Sequence, residues 1–190
     1  MNLVHKVTIV FAAVVVIVLV GAVAYLLAGT NIHSAQQQQT MAGWVTYADP
    51  NGQFSYQYPS VFGAHVWQAQ FWPPKVTVSA STAMQTVCPD MSNASGNLVQ
   101  ATVKLGMTQF TKYTASDAGA GQLYTWYCYV TTNKQKTYGV EFVIHSHIGC
   151  QQGQCGAYCA TQYEQECRNF DLQRDVATPV QEIVSTFTFL

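Results

Sequence analysis

The chain has 190 residues, only 9% of them charged, and eight Lys and Arg against nine Asp and Glu give a formal net charge of −1. Its domain lysines, at 75, 104, 112, 134 and 136, are scattered, which excludes the basic patch that a nucleic-acid partner needs. The same scatter excludes electrostatic adhesion to an anionic membrane surface; an uncharged, aromatic-rich exterior suits proteins or glycans instead.

Residues 1–6 form a short tail that ends at Lys6, and an uncharged run from Val7 to Gly29 follows. At 1.5 Å per residue this run makes a helix of about 35 Å, enough to cross a bilayer core. A cleaved secretory signal has a shorter apolar core with a small-residue site after it. Here the best such match, Ala22-Val23-Ala24, lies inside the run, so an uncleaved transmembrane anchor is expected. No charged residue follows the run until Asp49. The positive-inside rule therefore puts the tail in the cytoplasm and the C-terminal part outside a single-pass cell membrane protein.

Residues 30–42 carry the Gln36–Gln39 run without apolar periodicity and read as a flexible spacer. One extracytoplasmic domain is expected over 43–190. Trp44–Ala48 reads as its first strand, stopped by the turn signal Asp49-Pro50-Asn51-Gly52. Phe54, Tyr56 and Tyr58 alternate with polar residues up to Pro59. His65–Phe71 and Lys75–Ala80 are further short strands around Pro73-Pro74, and Cys88–Gly96 reads as loop.

Leu123–Thr131 and Lys136–His145 flank Asn133-Lys134-Gln135 and predict a hairpin. Tyr138, Val140, Phe142 and Ile144 make the apolar face of its second strand. Period two puts Glu141, His145 and His147 on the other face, expected to be half-exposed. At the C-terminus Thr178 suits an N-cap and Pro179 the first helical position. Val180, Ile183, Val184 and Phe187 then form one helical stripe, and Phe187–Leu190 alternates as a closing strand. Strands followed by a helix on an antiparallel sheet predict an α+β fold.

Six cysteines in an exported domain predict disulfides. Cys150–Cys167 and Cys155–Cys159 would close one loop, and Cys88–Cys128 follows by elimination. The rival is a metal site, because His145 and His147 run into Cys150, Cys155 and Cys159 and zinc accepts such ligands. The spacing matches no finger or ribbon pattern.

Trp44-Val-Thr-Tyr47, the turn, and Gly52-Gln-Phe54-Ser-Tyr-Gln-Tyr58-Pro59 resemble the opening of PsbP-like (Mog1/PsbP fold) domains of bacterial membrane-anchored and lipoprotein-type exported proteins. Asp117-Ala-Gly-Ala-Gly121 with Tyr124, Val140–His145, and the ending Ile183–Phe189 are similar to later pieces of the same group. The resemblance implies an α/β/α sandwich around a central antiparallel sheet, used for binding and assembly rather than catalysis. The transmembrane run and the cysteine-rich loop Gly149–Cys167 depart from the photosynthetic members.

No nucleophile elbow accompanies the domain histidines His65, His145 and His147, so no catalytic set is identified and no cofactor is expected. Asp117–Gly121 lacks the Lys and Ser/Thr of a phosphate loop and reads as a tight turn. Glu164 and Glu166 read as solvated loop carboxylates. The expected function is a non-catalytic binding or assembly module at the envelope with a protein partner. The alternative is a glycan-binding module using Trp67, Phe71 and Trp72, and a metal-binding domain through His145, His147 and Cys150 is a third.

Overall fold

The computed structural model describes residues 43–151 and 163–190. The expected tail, anchor and spacer, together with Cys155 and Cys159, lie outside the described residues. From Trp44 the strands are β1 (Trp44–Ala48), β2 (Phe54–Pro59), β3 (Gly63–Ala64), β4 (Trp67–Ala69) and β5 (Lys75–Ser79). After helix α1 (Met84–Val87) and a 3-10 turn at Asp90–Asn93 come β6 (Val99–Leu105), β7 (Thr108–Gly119), β8 (Gln122–Asn133) and β9 (Lys136–His147). Helices α2 (Ile148–Gln151), α3 (Glu164–Asn169) and α4 (Thr178–Ser185) precede β10 (Thr188–Phe189).

All strand pairs are antiparallel, in two sheets. The smaller runs β1-β2-β10; the larger runs β3-β4-β9-β8-β7-β6, with β5 also on β9. The β8–β9 hairpin closes through Lys134 and Gln135, both with positive φ, the backbone that a two-residue hairpin turn requires. Ala120 and Gly121, also at positive φ, close β7 onto β8 in the same way, so Gly121 of the Asp117–Gly121 segment serves a turn.

Period-two alternation gives this sheet two buried faces. On one, Tyr127, Tyr129, Val140, Phe142 and Ile144 pack with Val180, Ile183 and Val184 of α4 and with Phe54 and Tyr56 of β2. Phe187 links the two sheets, its ring 5.3 Å from Phe54 and 6.2 Å from Phe110. Fully burying each such side chain contributes about 1.5–3 kcal/mol, so this face holds the main core. The opposite face is covered by α1 and the 3-10 turn, where Val87, Cys88 and Met91 meet Ala115, Trp126, Cys128 and Val143.

The second face corrects the reading of Glu141. It is fully buried, because the segment predicted as loop at Cys88–Gly96 folds into a turn directly over it. The Met91 amide donates to Glu141 Oε1 at 2.6 Å and the Asp90 amide to Oε2 at 3.3 Å. Burial outweighs these bonds and pushes the carboxyl up to about 7. Lys75, ion-paired to Asp90 at 3.0 Å, and Asp90 itself are the charged groups beside it. A Cβ at Gly139 would lie 2.2 Å from the Val87 carbonyl oxygen, so glycine permits the close approach of α1.

Four other expectations change. β6 and β7 are strands that the sequence does not announce, because Gln100, Thr102, Lys104 and Gln109 face solvent. His65–Phe71 is not one strand: His65 and Val66 form the turn between β3 and β4. Thr178 does not cap α4, because the helix continues from a π-helical turn at Gln173–Ala177. Its hydroxyl and amide both donate to the Gln173 carbonyl. Pro179 lacks an amide donor and would crowd the carbonyl four residues back, which the wider π turn relieves. Finally, Glu164 and Glu166 lie on α3 rather than in a loop.

Candidate functional site

The sheet edge at β3–β4 gathers most of the ionisable side chains that the sequence singled out. β4 pairs with the end of β9, Gln68 opposite His145 and Trp67 opposite Ser146, and the His147 amide donates to the Val66 carbonyl at 3.0 Å. Because directly opposed residues share a face, Gln68 and His145 stand side by side. Gln122, opposite His147 on β8, joins them. With His65 at the β3–β4 turn, these side chains line a recess of about 180 Å³. His145 and His147 are half-exposed, as their face of the strand predicts, and the His145 ring lies over Tyr124 at 6.0 Å.

Two devices hold α3 against this edge. The Cys150–Cys167 disulfide joins α2, directly after β9, to α3, and both cysteines pack on Val66. Glu166 reaches across with both oxygens, Oε2 to His65 Nδ1 at 3.0 Å and Oε1 accepting the Val66 amide at 3.2 Å. Glu166 is thus engaged, not a solvated loop carboxylate. Tyr163, just before α3, stacks on His65 at 4.3 Å.

Between β3–β4 and α3 a larger recess of about 690 Å³ opens. Trp67, Phe170 and Pro179 give it apolar walls, and Glu166, Arg174 and Asp175 add charged groups to its lining. Arg174 Nε meets Asp175 Oδ1 at 2.6 Å and holds that carboxyl below the usual range. A recess of about 670 Å³ at the β6–β7 end of the sheet has threonines for half of its lining and no charged side chain.

Cys88 is bonded to Cys128 and Cys150 to Cys167, two of the pairs named from the sequence. The second bond removes the Cys150 thiolate from any metal, so the His145, His147 and Cys150 ligand set is not assembled. Among the described residues no group of three or more His, Cys, Asp or Glu is placed to hold a metal ion. The three aromatics proposed for glycans are not one platform. Trp67 and Trp72 flank Phe62, at 5.0 and 4.5 Å, and pack on the main core, while Phe71 packs on the opposite face. Trp72 Nε1 donates inward to the Pro59 carbonyl. Phe62, Glu166, Phe170 and Arg174 complete this corner through contacts between distant segments, and no local pattern singles them out.

No family model matches the chain, so the PsbP-like resemblance rests on the quoted motifs, and no curated protein matches either. Among solved structures, the chain is similar to a protein of Bacteroides thetaiotaomicron, with TM-score 0.40 and 13% identity over 76% of this chain. It spans about half of that protein, 48% of its length. It is also similar to LpqN of Mycobacterium tuberculosis, a protein involved in cell envelope biogenesis, with TM-score 0.35 and 8% identity over 77% of this chain and 78% of that one.

Proposed function

We propose that the domain is a non-catalytic binding and assembly module tethered outside the cell membrane, and that it receives a protein partner in the recess between β3–β4 and α3. The carrying observation is the lining of that recess, in which apolar Trp67, Phe170 and Pro179 stand together with charged Glu166, Arg174 and Asp175. Apolar surface combined with charged and hydrogen-bonding groups is what protein interfaces use. The Cys150–Cys167 bond and the two hydrogen bonds of Glu166 fix the walls beforehand, which lowers the ordering cost of association. Two disulfides support an oxidising, extracytoplasmic compartment. A sheet covered by α4 on one face and α1 on the other supports the sandwich that a PsbP-like fold implies. The opposed placement of Phe71 favours a protein over a glycan.

Arg174→Glu reverses a lining charge on an exposed side chain without removing apolar packing. Crosslinking in host membranes should recover a partner with the native chain and at least tenfold less with the variant, as expected for losing about 1.4 kcal/mol or more of binding. Equal recovery from both would count against the recess as the binding site.

A further inference from the structure

The larger sheet ends in an edge that no strand among the described residues covers. β6 (VQATVKL) pairs with β7 in unbroken register from Val99↔Thr114 to Leu105↔Thr108 and is last in the strand order. Its outer side meets no strand among the described residues. Such an edge presents alternate N–H and C=O groups to solvent, and native proteins usually blunt it with Pro, bulges or several charges. β6 has no Pro and no bulge, and Lys104 is its one charged residue. Val99 is 62% exposed and Met107, in the adjoining turn, 96%.

The sequence of the strand indicates what fits there. VQATVKL is symmetric in character about Thr102. If two copies pair antiparallel with Thr102 facing its counterpart, Val99 stands opposite Leu105, Gln100 opposite Lys104 and Ala101 opposite Val103. Directly opposed residues share a face, so apolar meets apolar and polar meets polar throughout. The apolar face is the one that carries Phe110, the register partner of Val103, and Val103 and Leu105 already pack against the main core there.

Charge fixes the register. In this alignment the two Lys104 residues are offset by four positions, about 14 Å along the strands. Sliding the pair by two positions per strand would set Lys104 against Lys104, and directly opposed like charges destabilise a sheet. A one-residue slip would place Ala101 against Lys104 and Gln100 against Leu105, breaking the match of apolar with apolar.

We infer that a second copy of this chain docks along β6 and extends the larger sheet across a two-fold axis at Thr102. The contact is isologous and closes with two copies. It goes beyond the binding recess and leaves it open, because β3–β4 and β6 are opposite ends of the strand order.

The test uses the full-length chain in membranes with a photoreactive benzoylphenylalanine at position 102, on the axis, or at position 46, exposed on β1. The expected result is a product of twice the chain mass from position 102 and not from position 46. The double variant Val99→Lys with Ala101→Lys changes two exposed side chains and should reduce that product at least tenfold while circular dichroism stays the same. Three outcomes would overturn the inference: no dimer-mass product from position 102, a dimer that persists in the lysine variant, or a product joined to a different protein.

Discussion

The Met91 amide donates to the buried Glu141 carboxylate at 2.6 Å, across 50 residues of sequence. This bond fastens the 3-10 turn to the centre of β9, while the Cys88–Cys128 disulfide fastens the preceding residue pair to β8, with Cys128 directly opposite Glu141 in the register. One short segment therefore covers the second face of the sheet by a covalent bond, a buried carboxylate and the close approach at Gly139.

The first prediction concerns pH. Glu141 titrates near 7 in the folded domain against an ordinary value of 4.5. Between these values the folded state holds the proton more tightly than the unfolded state, so stability falls as pH rises through this window. The cost is complete above about pH 7 and amounts to roughly 3–4 kcal/mol at about 1.36 kcal/mol per unit, about 2–3 kcal/mol of it between pH 5 and pH 8. Denaturant titrations at pH 5 and pH 8 should show this loss. Glu141→Gln keeps an acceptor for Met91 and should flatten the dependence; a slope unchanged in the variant would contradict the assignment.

Removing the Cys88–Cys128 bond tests the covalent fastening. The cysteines are 40 residues apart, and freeing such a loop raises unfolded-state entropy by about 4 kcal/mol at 25 °C. Cys88→Ala with Cys128→Ala should lose a large part of this in equilibrium denaturation. Hydrogen exchange should rise first at residues 84–93, and a uniform rise across both sheets would argue against a separately fastened segment.

Gly139→Ala puts a methyl group 2.2 Å from a backbone carbonyl. Because the obstacle is main chain, relief requires moving α1, and overpacking of this kind costs about 1–3 kcal/mol. Thermal and denaturant midpoints should both fall, with hydrogen-exchange protection lost chiefly at Val87 and Cys88.

At the β3–β4 edge, Glu166→Ala should cost about 1 kcal/mol, since it leaves the Val66 amide without its acceptor. Glu166→Gln should retain most of that stability, because an amide oxygen can accept the same bond. His65 is mostly exposed in this pair, and His65→Ala should change stability by less than about 0.5 kcal/mol. Denaturation of the three variants side by side checks this order, and equal losses for Gln and Ala at position 166 would place the contribution in the ion pair.

How far the sequence carries depends on the distance over which each contact is made. The β8–β9 hairpin and the α4 stripe are local patterns of buried residues, and both stand close to where alternation and 3.6-residue spacing put them. β6 and β7 escape because their outer residues are polar or small, so alternation is muted. Glu141 is legible as lying off the apolar face, but its burial depends on a turn folded from residues 50 positions away. The recess near His145 likewise depends on β3–β4 docking from about 80 residues upstream. Local pattern reports which face a side chain takes, and only tertiary packing decides what covers that face.

The recess beside Trp67 is the proposed seat of a protein partner. A photoreactive residue at Asn169, exposed on its margin, compared with one at Thr46 on β1, tests it in the full-length protein in host membranes. A defined crosslinked partner is expected from position 169, absent from position 46 and lost with Arg174→Glu. The same products from both positions, or none from position 169 while a partner is captured at position 46, would contradict it.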